Sequence, residues 1–195
     1  MKVDKRYEKT LRLGELEAKP GQEAAVAALH EWVEDKCANV VLLGSVGCGK
    51  THLAIAAGKE VAVAGEYTTE EGWLASQRRH VCFVNVPSLL ADLRAAISRG
   101  NEDTADRFAH LSKTCTRLIL DDLGAERLTE YAAEMLYVLV DGVYRREASV
   151  LVTTNVPLKD IVESGAGRII SRLIERATLV KMTGSDLRLE TFTRK

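Results

Sequence analysis

A phosphate-binding loop is the first group of residues whose types and spacing could do chemistry. The segment from Gly44 to Thr51 reads GSVGCGKT and matches the pattern G-x-x-x-x-G-K-[ST]. Its glycines let backbone N–H groups turn inward around phosphate oxygens, while Lys50 would reach the β- and γ-phosphates and the Thr51 hydroxyl would ligate Mg²⁺. The predicted nucleotide contacts are Gly44, Ser45, Val46, Gly47, Cys48, Gly49, Lys50, Thr51 and His52.

Two adjacent carboxylates form the second group. Asp121 and Asp122 follow the apolar run that begins after Arg117. Because two acids at the end of a buried strand are costly without a nearby cation, we expect Asp121 to hold Mg²⁺ through water beside Thr51. Asp122 would orient and polarise the attacking water. A solvated Asp-Asp turn is the alternative interpretation.

Short apolar segments alternate with helical patterns along the chain. Strands are predicted at Asn39–Leu43, His80–Asn85, Arg117–Asp121, Ser149–Thr153 and Thr178–Met182. Helical patterns follow Pro20-Gly21 and cover 51–64, 87–98, 103–111, 129–146 and 158–175. This alternation predicts an α/β fold in which helices sandwich a five-stranded parallel sheet and the ligand lies at the carboxyl ends of the strands. We expect the strand that ends at Asp121 either to lie next to the strand that leads into the phosphate loop or to be separated from it by one other strand.

The composition is typical of one globular domain. The 195 residues are 46% hydrophobic and 28% charged, which excludes a disordered or fibrous chain. No apolar run reaches the roughly 18 residues of a membrane span, and the N-terminus lacks the apolar region of a secretory signal. We therefore expect a cytoplasmic protein with no membrane partner.

The four cysteines, at positions 37, 48, 82 and 115, lie far apart and form no Cys-x-x-Cys pair. They also make no zinc-binding spacing with the histidines. We expect reduced thiols. Cys48 fits the loop as a small residue, and a redox switch is the alternative for it.

The order of the motifs resembles that of the AAA+ ATPases. GSVGCGKT, LILDDLG, VLVTTN and GRIISRL follow one another, and they are similar to the branch that contains the DnaC and DnaI helicase loaders and the IstB transposition ATPases. The resemblance covers 20–190 and implies a P-loop NTPase with an AAA+ core and little or no lid domain. It implies ATP or ADP and Mg²⁺ as ligands, and hydrolysis of ATP to ADP and phosphate. On this basis we divide the chain into an N-terminal linker, 1–20, and an ATPase domain, 21–195.

The same resemblance implies roles for three further residues. Asn155 falls at the family's sensor 1, which contacts the γ-phosphate or the attacking water, and Arg188 at sensor 2. Arg172 matches the arginine finger, which acts on the next subunit's nucleotide, and Arg168 is an alternative for that role. Arg168, Arg172 and Arg176 also recur every four residues, so a solvated basic helix face is the competing interpretation.

The distribution of charge along the chain is compatible with nucleic-acid binding. The chain has 27 Lys or Arg against 28 Asp or Glu, a net charge of −1, yet seven basic and three acidic residues lie within 168–195. An arginine finger implies a head-to-tail homo-oligomer, either a ring or a helix. The expected partner is single-stranded DNA. Residues 88–112 are a candidate DNA-binding segment, and the alternative is that they form an ordinary helix surface.

The leading functional hypothesis is a loader of a replicative helicase, or the ATPase domain of one, that assembles on DNA in an ATP-dependent way. An IstB-type transposition helper, with duplex DNA and a transposase as partners, is the alternative. More distant are a P-loop small-molecule kinase and an adaptor that binds ATP without hydrolysing it. Only 43 residues precede the loop, fewer than the helicase-binding domain of loaders needs. The connection 66–79 is unusually long, and Trp73 in it is either a partner anchor or folded onto its own domain.

Overall fold

The computed structural model describes residues 10–34, 39–63, 81–99, 110–124 and 128–187. Trp73, the 66–79 connection and most of 100–112 lie outside these ranges, so the expectations about them stay predictions. The same holds for Arg188.

Five parallel strands form one sheet. They are β1 (Asn39–Gly44), β2 (Val81–Asn85), β3 (Arg117–Asp121), β4 (Ser149–Thr154) and β5 (Ala177–Met182). Their order across the sheet is β2-β3-β4-β1-β5, and every neighbouring pair is parallel. The predicted fold class is confirmed. The acid strand β3 lies one strand away from β1, because β4 stands between them, as the sequence allowed.

One helix precedes β1, and the others lie between successive strands. The helices are α1 (Glu23–Glu34), α2 (Lys50–Val63), α3 (Val86–Arg99), α4 (Glu130–Arg145), α5 (Leu158–Ile161) and α6 (Gly167–Ile174). Thr129 caps α4, since its side chain accepts the Ala132 N–H. The stretch 158–175 is mostly helical, as predicted. It consists of α5 and α6 joined by a π-helical turn, Val162–Ala166, in a segment that two glycines weaken. Among the described residues no helix has the length and apolar character needed to cross a bilayer.

Apolar side chains bury both faces of the sheet. One core joins the sheet to α3, α4 and α6, through side chains such as Leu90, Leu139 and Ile170. The other joins it to α1 and α2, through side chains such as Leu29 and Leu53. Helices on both faces leave the carboxyl ends of the strands as the open edge, which is where ligands bind in such sheets.

Residues before α1 also belong to the packed structure. Leu13 is fully buried in the core beneath α1 and α2, and Lys59 on α2 donates a hydrogen bond to the Thr10 carbonyl at 2.8 Å. The division into a linker, 1–20, and a domain, 21–195, stays a prediction, and this contact joins the two parts.

One expectation about the cysteines is wrong. Cys82 on β2 and Cys115, two residues before β3, form a disulfide, with their Cα atoms 5.9 Å apart. Parallel pairing of β2 with β3 brings these positions together although 33 residues separate them in the chain. Among the described cysteines only Cys48 is free, and it is buried.

Candidate functional site

The phosphate loop places a buried positive charge between β1 and α2. Lys50 is 6% exposed, and its ammonium donates to the carbonyls of Gly44 at 2.9 Å and Ser45 at 2.8 Å. No carboxylate of the described residues pairs with this ammonium. A buried charge without a counter-ion is costly, so the loop is built to receive an anion at the N-terminus of α2.

The acid of β3 is held by donors from three other elements. Asp121 is 2% exposed. Its Oδ1 accepts the hydroxyls of Thr51 at 2.8 Å and Thr153 at 2.7 Å, and its Oδ2 accepts the Asn85 amide at 3.3 Å. The structure therefore brings together the two residues predicted to hold Mg²⁺. We call Asn85, Thr51, Asp121 and Thr153 the acid cluster.

The donor set of the acid cluster fits Mg²⁺. Magnesium prefers oxygen ligands and usually keeps several waters, taking one or two protein oxygens and the substrate's phosphate oxygens. The Thr51 hydroxyl and the Asp121 carboxylate supply such oxygens at the N-terminus of α2. The described residues contain no group of three or more His, Cys, Asp or Glu side chains suited to a metal, and a site of this type does not require one.

A cavity of about 490 Å³ runs along the phosphate loop. Its walls include Lys50, Thr51 and His52, and Asp122 and Asn155 line it as well. Asp122 has a left-handed backbone, φ 57°, which is uncommon outside glycine and clusters at functional sites. Its N–H donates to the Thr153 hydroxyl at 3.0 Å, so one threonine positions both acids.

Two flanking segments hold the loop from the side. The buried Gln22, just before α1, donates its amide to the Cys48 carbonyl at 2.9 Å. On the other side the Leu187 N–H donates to the Gly47 carbonyl at 3.2 Å. Gly47 has a φ of 81°, and a Cβ there would lie 2.0 Å from the Asp186 carboxyl carbon, so only glycine fits. We call Gln22 and Leu187 the loop clamp.

His52 lies on the wall of the cavity at the start of α2. Partial loss of solvent lowers the pKa of its imidazole, and the positive charges of Lys19 and then Lys59 lower it further. The imidazole therefore stays neutral at physiological pH. A neutral ring at this wall can accept or donate a hydrogen bond.

Arg172 lies at the opposite end of the sheet. It lines a second cavity, of about 190 Å³, together with Asn39 and Val150 from the first residues of β1 and β4. The phosphate loop begins at the last residue of β1, at the other end of that strand, so Arg172 does not meet its own chain's loop. Arg168, the alternative finger, is exposed on α6.

Asn85 and Gln22 are among the site residues that sequence reasoning missed. Asn85 ends β2, so a search for polar residues at strand ends would have found it; its Oδ1 also accepts the Ser88 N–H at 3.1 Å, at the start of α3. Gln22 gave no signal, because its contact with the loop spans 26 residues and arises from tertiary packing.

The fold and this site define a class of protein. A phosphate loop leads from β1 into α2, and its threonine contacts the acid of a strand that lies beyond β4. This is a P-loop ATP-binding protein with an AAA+ core. The chain belongs to the family described as IstB-like ATP binding protein, which matches residues 15–194.

Relatives and solved structures agree with this assignment. The chain is 30% identical over 161 residues to the "Insertion sequence IS21 putative ATP-binding protein" of Pseudomonas aeruginosa, covering 80% of this chain and 54% of that protein. It is 29% identical over 157 residues to the "Insertion sequence IS232 putative ATP-binding protein" of Bacillus thuringiensis subsp. berliner, covering 78% and 56%. The chain thus spans about half the length of these curated relatives.

Two solved structures share the fold. The DnaC helicase loader matches with a TM-score of 0.70 and 23% identity, covering 92% of this chain and 99% of that one. The replication initiator DnaA, bound to AMPPCP and single-stranded DNA, matches with a TM-score of 0.73 and 19% identity, covering 96% and 56%. At these identities the likeness concerns the fold.

Proposed function

We propose that this protein is an ATPase that assembles on DNA and serves the transposase of an insertion sequence. The acid cluster carries the proposal, because it joins the phosphate loop to the acid of β3 through the Thr51–Asp121 contact of 2.8 Å. The family and the insertion-sequence relatives support the biological role. A helicase-loader role is supported by likeness of fold alone. The transposition role is therefore the first hypothesis and the loader role the second.

The residues of the site divide the work of ATP hydrolysis. Lys50 contacts the β- and γ-phosphates, and the Thr51 hydroxyl and Asp121 hold Mg²⁺, which neutralises phosphate charge when bound. Asp122 orients the attacking water and accepts its proton as the bond from the γ-phosphorus to the ADP oxygen breaks. Asn155 contacts the γ-phosphate at the end of β4. The products are ADP and phosphate.

Arg172 completes the site from a neighbouring subunit. Its distance from its own phosphate loop, at the other end of the sheet, supports action in trans. A permanently charged guanidinium there neutralises charge that develops on the neighbour's phosphate, which makes hydrolysis depend on assembly. Such head-to-tail contacts build a ring or an open helix. The seven basic residues of 168–195 support contact with phosphates. Because the proposed protein acts on DNA inside the cell, we place it in the cytoplasm.

DNA-stimulated hydrolysis tests this function. Phosphate release by the full chain is measured with Mg²⁺-ATP alone, with duplex DNA and with single-stranded DNA, and Lys50→Ala serves as the inactive control. The proposal expects stimulation by duplex DNA and ATP-dependent binding to it. Stimulation by single-stranded DNA alone favours the loader role. Wild-type protein that binds ATP but never hydrolyses it, with DNA or without, would refute the ATPase.

A further inference from the structure

We propose that Asp141 is a positioning residue that holds Arg172 ready for the active site of a neighbouring subunit. This inference rests on the proposed function and deepens it, because it names the group that aims the finger. Asp141 lies on α4, and it has no place in the motifs that identify the family.

Asp141 holds the guanidinium of Arg172 through one nitrogen. The Arg172 Nε donates to Asp141 Oδ1 at 2.7 Å, and the carboxylate is 14% exposed, so solvent competes little for it. Arg145, one turn further along α4, donates its Nε to the other carboxylate oxygen at 2.7 Å. One acid thus fixes the finger while a second arginine fixes the acid.

Two aromatic rings lie close to the same guanidinium. The Arg172 Cζ lies 4.7 Å from the centre of the Tyr137 ring and 5.7 Å from that of Tyr144. Tyr144 is held in turn by its hydroxyl, which donates to Glu175 Oε2 at 2.7 Å. Tyr137, Asp141 and Tyr144 lie four and three residues apart on α4 and therefore share one face, which is turned toward α6.

This arrangement leaves the Nη1 and Nη2 groups of Arg172 available to bind a phosphate. Within the described part of the chain its Nη1 and Nη2 groups make no hydrogen bond, and the side chain is 28% exposed. These two groups form the fork that binds a phosphate with two parallel hydrogen bonds. An arginine side chain loses rotamer entropy when it is fixed, so restraint by Asp141 removes part of the cost of reaching the neighbour's phosphate.

Mixtures of two variants separate the finger from the site on which it acts. Donor subunits carry Asp122→Asn, so they supply a finger but have no working site. Acceptor subunits carry Arg172→Ala, so they have a working site but supply no finger. We expect phosphate release from the mixture and little from either variant alone.

Asp141 is then changed in the donor only. Donors with both Asp122→Asn and Asp141→Asn are expected to give about tenfold slower turnover at saturating ATP, with the KM of the acceptor unchanged, since the finger acts in the transition state. The matched control is Glu134→Gln in the donor, which removes an exposed acid two turns earlier on α4 and should leave the rate unchanged. Asp141→Glu should restore part of the rate.

Misfolding is tested by reversing the roles. Asp141→Asn alone, used as acceptor with Asp122→Asn donors, should recover activity, because its own site is intact and its partner supplies the finger. Equal or faster turnover with the Asp141→Asn donor would overturn the positioning role while leaving Arg172 as the finger. Full activity of Arg172→Ala by itself would overturn the finger, and the role of Asp141 with it.

Discussion

At the scale of single residues, the phosphate loop and the acid cluster show which site residues the sequence reveals and which it does not. Lys50, Thr51 and Asp121 belong to local patterns, so their chemistry was predicted from residue type and spacing. Their closeness was predicted as well, since parallel strands end at one edge of the sheet, although the direct hydrogen bond between Thr51 and Asp121 was not. The role of Thr153 as a donor to Asp121 was not predicted, because it depends on which strand lies beside β3.

Removing the Thr153 hydroxyl tests the acid cluster. Thr153→Val keeps the shape of a fully buried side chain but takes one donor from Asp121 and one acceptor from the Asp122 N–H. We expect a loss of about 1–3 kcal/mol in the free energy of unfolding and a fall in kcat of tenfold or more, measured by denaturant titration and phosphate release. Thr154→Val is the matched control: its hydroxyl donates to the Leu123 carbonyl, so stability should fall and the rate should fall far less. Equal losses of rate in both variants would contradict the account.

The pH dependence of stability tests the environment of His52. Its folded pKa lies below the ordinary value, so the unfolded chain binds more protons in the range between the two values. The contribution of His52 to stability is therefore complete above about pH 6.5 and is lost as the pH falls through the lowered folded pKa. His52→Gln should flatten the decline in unfolding free energy between pH 7.5 and 5, and His30→Gln, an exposed histidine on α1, serves as control. Identical curves for wild type and His52→Gln would refute the assignment.

At the scale of elements, the strands were predicted to within one residue at each end and the helices less well. Buried strands are short apolar runs bounded by polar residues, so their limits are visible in the sequence. The stretch 158–175 was correctly predicted as mostly helical, but the π-helical turn that divides it was not predicted, because only the backbone reveals it. The Cys82–Cys115 bond was missed because it depends on the pairing of β2 with β3.

Gln22→Leu tests the loop clamp, which acts between elements. The change keeps the size of the side chain but leaves the Cys48 carbonyl and the Lys19 N–H without their buried partner. A buried group left without its hydrogen bond costs about 1–3 kcal/mol, so we expect ATP affinity to fall about tenfold while turnover at saturating ATP changes little. Titration with a fluorescent ATP analogue measures the affinity. Unchanged affinity would show that the loop keeps its shape without Gln22.

At the scale of the whole molecule, the two ends of the sheet carry different parts of one proposed reaction. The phosphate loop and both acids lie at the carboxyl ends of the strands, whereas Arg172 lies at the amino ends. The proposed finger therefore lies where it cannot serve its own subunit, as the proposed head-to-tail assembly requires. No sequence pattern showed this separation; the motif order implied the finger, and only the sheet orientation placed it away from its own loop.

Hydrolysis by the site itself is the central claim, and one comparison tests it most directly. ATP binding and Mg²⁺-dependent phosphate release are measured side by side for wild type and Asp122→Asn, in the presence of duplex DNA. We predict that Asp122→Asn binds ATP within about threefold of wild type, because Lys50 and Thr51 are untouched, and that it releases phosphate at least 100-fold more slowly. Phosphate release by Asp122→Asn at the wild-type rate would contradict the account.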